Sequence, residues 1–455
     1  MTGSWRFILP LFLVTCLLPA GIRGIPAPAP GAVRMGPPAP PARSTAFPTP
    51  TRGAALAPYS FSPRWDNKQQ GVFVLSLCRD LRGCTWVGTA AYPKPDDGGV
   101  WRYDPAAPED RRWTRFTVQN GLVDNNGYAF ATDALNRTWV GSLNHGVSVF
   151  NGEVWKNYDI LTGPSGSRVF AIATCPTDHD VWIATESGLT RYSLRKDTWS
   201  YYNRPQLPSD QTNALAFNKV GDLFMGTQCD GIAIGRAADG YRRWTMVKGP
   251  DQAPNTPGGS GLPTNLINSL AVSPGTGTVY AGTTTGLARS EDNGRTWRYL
   301  RGADWRSKVL GLYHGPKPGD FDTHGHILQE DDIQSVSAGD DGILWIGYRW
   351  MGYDAIDELS GRVLKSGNVG RVRSILPSGH LGALVGRYGA GVQVIPWAAV
   401  RGVNGPGPAV APVTSPAPLP HPAAPPTDTD LEAFLPRSGS ASDKVDMPVY
   451  FGEDC

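Results

Sequence analysis

Asn136-Arg137-Thr138-Trp139-Val140-Gly141-Ser142-Leu143-Asn144-His145-Gly146-Val147-Ser148-Val149-Phe150 holds the pattern from which the rest of the chain is read. A short apolar run closes on Trp-Val-Gly. A few polar residues intervene, then a glycine, and then apolar and polar residues alternate. Alternation of period two marks a strand with one face buried, and a polar break ending in glycine between two such runs marks their turn. The stretch reads as two adjacent strands of one sheet.

Near-copies recur along the chain. Aligned on the glycine that closes the second strand, they are Thr85-Trp86-Val87-Gly88, Thr138-Trp139-Val140-Gly141, Val181-Trp182-Ile183-Ala184, Leu223-Phe224-Met225-Gly226, Val279-Tyr280-Ala281-Gly282, Leu344-Trp345-Ile346-Gly347 and Ala383-Leu384-Val385-Gly386. Successive anchors are 53, 43, 42, 56, 65 and 39 residues apart. The shorter steps match one four-stranded propeller blade. The longer ones leave room for insertions at 92–98, 249–260 and 301–330.

Each unit repeats the same parts. A first strand such as Ala129-Phe130-Ala131-Thr132 leads into an Asp, Asn or Gly turn and then the Trp strand. A glycine opens the third strand, as at Gly146, Gly188, Gly286 and Gly391, where positive φ is expected. An aromatic starts the fourth, as at Trp113, Trp155, Trp199, Trp244 and Trp297. The expected fold is all-β: a seven-bladed β-propeller of four-stranded antiparallel blades, with large aromatics filling the space between blades. The seventh unit stops after its third strand. Tyr59-Ser60-Phe61-Ser62-Pro63-Arg64-Trp65-Asp66 reads as an orphan fourth strand that completes it.

Composition agrees with this reading. Among 455 residues there are 55 Gly, 41 Pro and 15 Trp against 6 Met, the balance of a turn-rich β protein. A net charge of +2 gives no broad attraction to nucleic acid. Residues 1–24 read as a secretory signal, with one positive charge, an apolar run from Phe7 to Leu18 and small residues beyond. Thr15 stands where a lipoprotein box has a smaller residue, so lipid anchoring at Cys16 is not expected. No later stretch is long and apolar enough for a transmembrane helix. Pro-rich segments at 25–58 and 401–427 are expected to stay extended and disordered. They flank the propeller at 59–400 and leave a tail at 428–455. A monomer in a secreted or periplasmic setting is expected, with no cofactor.

With these residues in view, the repeat resembles the two-component regulator propeller family. Val181-Trp182-Ile183-Ala184-Thr185-Glu186-Ser187-Gly188-Leu189-Thr190-Arg191-Tyr192 follows its strand-turn-strand signature closely. Gly221-Asp222-Leu223-Phe224-Met225-Gly226-Thr227 and Gly342-Ile343-Leu344-Trp345-Ile346-Gly347 follow it in part. Asn120-Gly121-Leu122 and Gly261-Leu262-Pro263-Thr264-Asn265 are similar to its inter-blade connector. The resemblance spans roughly residues 70–395. It implies a propeller of the kind that forms the periplasmic sensing part of membrane histidine kinases and recognises glycans. This chain shows neither a kinase nor a membrane helix, so signalling through its own chain is not expected. Ser290-Glu291-Asp292-Asn293-Gly294-Arg295-Thr296-Trp297 matches the Asp-box, in which Ser290, Asp292, Gly294, Thr296 and Trp297 are expected to build a turn.

Propellers bind ligands at an axial mouth, where inter-blade loops meet the loops between second and third strands. The first set offers Asn125, Asn126, Arg168, Asn213, Asn268, Asp332 and Arg371. The second offers Asn144, His145, Glu186, Gln228, Asp230, Arg349, Trp350, Arg387 and Tyr388. The ligand-binding candidates drawn from them are Asn126, His145, Arg168, Glu186, Gln228, Arg349, Trp350, Arg387 and Tyr388. Amides and guanidinium groups suit hydroxyl-rich ligands, and Trp350 could stack on a sugar. The expected function is a non-catalytic module binding a glycan or protein ligand, the alternative a polysaccharide lyase or glycoside hydrolase on the same scaffold. No Arg-Ile-Pro triplet of a sialidase occurs, no α/β pattern supports a nucleophilic serine, and no carboxylate pair stands out. Residues 320–326 with Glu330, Asp331 and Asp332 read as a solvated acidic loop rather than a metal site, and no Cys/His set has zinc spacing. Cys78 and Cys84 flank one turn and could be bridged; Cys175 and Cys229 read as lone.

Overall fold

In the computed structural model the described residues are 72–92, 97–306, 328–379 and 382–401, all in one unit, Leu56–Cys455. The leader, both linkers, the tail, the closing strand at 59–66 and residues 320–326 fall outside them.

Seven antiparallel sheets run in chain order. Their innermost strands are Val74–Arg79, Ala129–Thr132, Val169–Thr174, Thr212–Phe217, Ile267–Val272, Ile333–Ala338 and Val372–Pro377, and these surround a central channel of about 290 Å³. Five blades have four strands in simple sequential order, and the fifth blade adds to the same four an outer strand, Gly258–Ser260, from the insertion expected there. Three strands of the seventh blade are among the described residues, followed by a short helix, Trp397–Arg401. No helix among the described residues is long and apolar enough to cross a membrane.

The core is divided among the blade junctions. Seven buried clusters each join two neighbours, and the one uniting Val74 and Val87 of the first blade with Leu384 and Val392 of the seventh closes the ring. The aromatic of the anchor tetrapeptide is the centrepiece: Trp86, Trp139, Trp182 and Trp345 are at most 1% exposed. A buried tryptophan N–H usually finds a partner, and two of these four do. Asp80 Oδ2 accepts from Trp86 at 3.1 Å, and Asp133 Oδ2 accepts from Trp139 at 2.9 Å, which explains the Asp in these turns.

Two glycines recur in the units and serve different ends, the second replaced by Ala184 in the third unit. The one opening the third strand has positive φ, 88° at Gly146 and 122° at Gly286. The one closing the second strand has no such φ. It is needed because the next blade's first residue lies against it: a Cβ at Gly141 would meet Val169 Cγ1 at 2.4 Å, and one at Gly347 would meet Val372 Cγ1 at 2.5 Å.

The cysteine expectation is corrected. Cys78, Cys84 and Cys175 are free thiols. Register sets Cys78 across from Trp86 rather than Cys84. Cys78 Sγ lies 3.8 Å from Thr132 Oγ1, and Cys84 Sγ accepts from Arg102 Nη2 at 3.2 Å. Cys229, read as lone, is disulfide-bonded. In the Asp-box stretch, Asp292 accepts the amides of Arg295 and Thr296, Ser290 Oγ accepts the Gly294 amide, and Trp297 is buried.

Candidate functional site

The innermost strands share one irregularity. In six blades the ladder slips beside the strand's first residue, a β-bulge: it falls between Val74 and Ser76, Thr212 and Ala214, Ile267 and Ser269, Ile333 and Ser335, and Val372 and Ser374, and at the matching place in the third blade. A bulge re-aims the extra side chain. Here that side chain is Leu75, Phe170, Asn213, Asn268, Gln334 or Arg373. With Tyr128 of the second blade, these form a ring lining the channel.

The ring is knitted from blade to blade. Asn213 Nδ2 donates to Ile267 O at 3.4 Å, and Asn268 Nδ2 donates to Ile333 O at 2.9 Å. Arg373 Nη1 donates to Gln334 Oε1 at 3.2 Å, and its Nη2 donates to the Tyr128 hydroxyl. The Arg373 guanidinium lies 5.0 Å from the Tyr128 ring, which meets Phe170 edge-on.

Above this part of the ring opens a cavity of about 280 Å³. Of the nine candidates, Asn126, Arg168, Arg349 and Tyr388 line it, as do Asn144 and Arg371 of the wider set. Tyr388 stacks on Phe73 with centroids 3.9 Å apart and planes 10° from parallel. The Arg371 guanidinium sits 4.6 Å from the Tyr388 ring and 4.9 Å from Trp350. Burial lowers the Arg371 pKa, and the neighbouring Arg349 charge lowers it further. Arg349 Nη1 reaches Asp332 at 3.4 Å. Asn126 Oδ1 accepts the Ala91 amide at 2.9 Å and its Nδ2 donates to Asp124 at 3.0 Å, so this side chain is rigidly held.

The other five candidates do not line the cavity. His145 is exposed beside Asp124, with Nδ1 3.3 Å from Oδ2. Glu186 accepts the amides of Ser167 and Arg168 and braces the loop that carries Arg168. Trp350 is 38% exposed and backs Arg371 and Arg349 from outside. Arg387 donates to Ala390 O at 3.0 Å, and Gln228 pairs through its backbone with Gln211. Asp230 is engaged by Arg204 and Lys248. The aromatic and polar cavity residues that the sequence reading did not name as candidates are Tyr92, Tyr128, Phe170, Gln334 and Arg373.

The acidic stretch is also corrected. Glu330, Asp331 and Asp332 are at most 2% exposed, so they are not a solvated loop. Asp331 is paired with fully buried Arg301 at 2.9 Å. Glu330 Oε2 accepts the amides of Trp350 and Met351, both at 2.9 Å, and so anchors the loop behind the mouth. Burial, with Asp304 and Asp332 close by, pushes the Glu330 carboxyl up to about 9. It is therefore neutral at physiological pH.

Neither a protein-family model nor a curated protein sequence matches the chain. Solved structures do. The extracellular domain of BT3049 from B. thetaiotaomicron, described as a hybrid two-component system, aligns with a TM-score of 0.50 at 18% identity, covering 70% of this chain and 39% of that one. PorZ, an essential surface component of the type-IX secretion system of Porphyromonas gingivalis, aligns with a TM-score of 0.51 at 17% identity, over 74% and 47%. The chain thus spans less than half the length of either. At such identity the likeness is one of fold. On that ground the chain is a seven-bladed β-propeller that shares its architecture with the extracellular domain of a two-component system protein, as its repeats resemble.

Proposed function

We propose that the chain is an extracytoplasmic binding module that recognises a glycan or protein ligand at the axial mouth, a glycan being the better fit. One observation carries this reading: aromatic faces, guanidinium groups and a fixed amide converge on a single cavity above a closed ring. Sugars offer C–H faces to aromatic rings and hydroxyl groups to planar donors, and ligand sites combine apolar walls with few placed polar groups in this way. The leader at 1–24 and a secreted or periplasmic location belong to the same proposal. So do the propeller boundaries at 59–400, its closing strand at 59–66, the linkers and the tail.

Binding without catalysis is favoured over a hydrolase because no Asp or Glu is among the described residues lining the cavity. The paired carboxylates of glycoside hydrolysis have no member there. Saturation-transfer NMR with a panel of oligosaccharides, followed over hours, tests the reading. Transfer to a saccharide with an unchanging spectrum supports a binding module. New product signals would make it a lyase or hydrolase. No transfer to any saccharide would remove the glycan and leave a protein ligand.

A further inference from the structure

The charge of the mouth narrows the ligand class. Four of the cavity's lining residues are arginines, Arg168, Arg349, Arg371 and Arg373. None of the described lining residues is acidic. Asp332 offsets Arg349 from behind. Arg371 is different. No carboxylate among the described residues forms an ion pair with it, and its partners are the faces of Tyr388 and Trp350. Ring faces hold a guanidinium in place but leave its in-plane N–H groups unused. Two more donors in the same wall are orphaned. Arg349 Nε and Tyr388 Oη are buried without a hydrogen-bond partner among the described residues. A buried donor without a partner is costly, and two of them beside a cation that has no ion pair among the described residues call for an acceptor that carries negative charge.

We propose that the mouth takes a saccharide bearing a carboxylate, such as a uronate residue, with the carboxylate received by Arg371, Arg349 and Tyr388. This rests on the saccharide reading above and specifies it. A planar guanidinium matches a carboxylate in two parallel N–H···O bonds. The sugar ring then lies over the less polar wall formed by Leu75, Ala90 and Phe170. A bound carboxylate also relieves the repulsion between Arg371 and Arg349, the same repulsion that adds to burial in weakening the hold of Arg371 on its proton.

Calorimetric titration of the full chain tests this. The probes are trigalacturonate and a hyaluronate tetrasaccharide, each beside its uncharged methyl ester, at low and high salt. At least one acid should bind on the order of 10-fold or more tighter than its ester, and salt should shrink that margin. Arg371→Gln should abolish the preference, and Arg371→Lys should keep part of it. Tyr388→Phe keeps the ring stack, removes only the hydroxyl, and should weaken the acid several-fold while sparing esters. It decides the matter with the salt dependence should Arg371→Gln fail to fold. Equal affinity for acid and ester, or a preference that survives Arg371→Gln, would overturn the inference. So would binding of neutral saccharides alone, which leaves the glycan reading intact. Failure of every saccharide would overturn both.

Discussion

Gly282→Ala tests the reason given for the glycine that closes each second strand. A Cβ at Gly282 meets Ile333 Cγ2 at 2.6 Å, Val336 Cγ1 at 3.1 Å and Ile333 Cβ at 3.3 Å. Carbon atoms rest comfortably at about 3.5–4.0 Å, so blades five and six would have to part locally by about 1 Å. Neither neighbour has room to retreat, since Ile333 is fully buried and Val336 is 3% exposed in the junction between the two blades. Overpacking of this kind costs about 1–3 kcal/mol. Alanine's better strand propensity returns about 0.5–1 kcal/mol. The net expectation is a loss of roughly 1–2 kcal/mol. Ile333→Ala alone should cost about 2–5 kcal/mol by leaving a cavity. Joined to Gly282→Ala, it removes the Cγ2 that clashes, so the double variant should be more stable than the sum by about 1 kcal/mol or more. Urea unfolding followed by tryptophan fluorescence measures all four corners of the cycle. A Gly282→Ala midpoint equal to the parent's, or strict additivity, would refute the close-approach argument and return this glycine to chance.

Three further tests follow from the packing. Asp133 is 1% exposed and accepts from Trp139 Nε1, Arg137 Nε and two amides, so Asp133→Ala should cost about 3–5 kcal/mol in urea unfolding; a loss under 1 kcal/mol would show the turn is held otherwise. The Glu330 carboxyl, raised from 4.5 to about 9, keeps in the folded state a proton that the unfolded chain releases above pH 4.5. Its contribution to stability is therefore full below pH 4.5 and falls as pH rises toward 9. Glu330→Gln should match the parent near pH 4.5 and exceed it by up to about 4 kcal/mol at pH 7.5, and parallel stability curves would contradict this. Burial pushes the Cys78 and Cys84 thiols up to about 11. Both should resist alkylation in the native protein at neutral pH and accept it after unfolding without reductant; a Cys78–Cys84 linked peptide in the digest would count against that.

The blade count, the four-strand unit and the role of the Trp strand were legible because each is encoded locally, in a period-two pattern between turn residues that repeats along the chain. The loops forming the mouth were legible for the same reason, and Asn126, Arg168, Arg349, Arg371 and Tyr388 were named from them. Tyr128, Phe170, Gln334 and Arg373 were not. Phe170, Gln334 and Arg373 sit inside the innermost strands, where simple alternation assigns them to a blade face, and Tyr128 lies directly before one. Their signal was available in hindsight as the variable residue directly after Val169, Ile333 and Val372, at one fixed place in the repeat.

What the sequence alone determined is the architecture, since the hydrophobic period and turn chemistry are properties of neighbours in the chain. Tertiary structure decided the rest. The bulge that turns Arg373 into the channel exists only in the pairing of Val372–Pro377 with Gly382–Arg387. The pairing of Arg371 with Tyr388 and Trp350 joins residues of two blades. Glu330 and Asp331 changed from solvated charges to buried anchors because the loop around Arg301 folds over them. Charge and burial depend on which distant segments meet, and no local pattern carries that information.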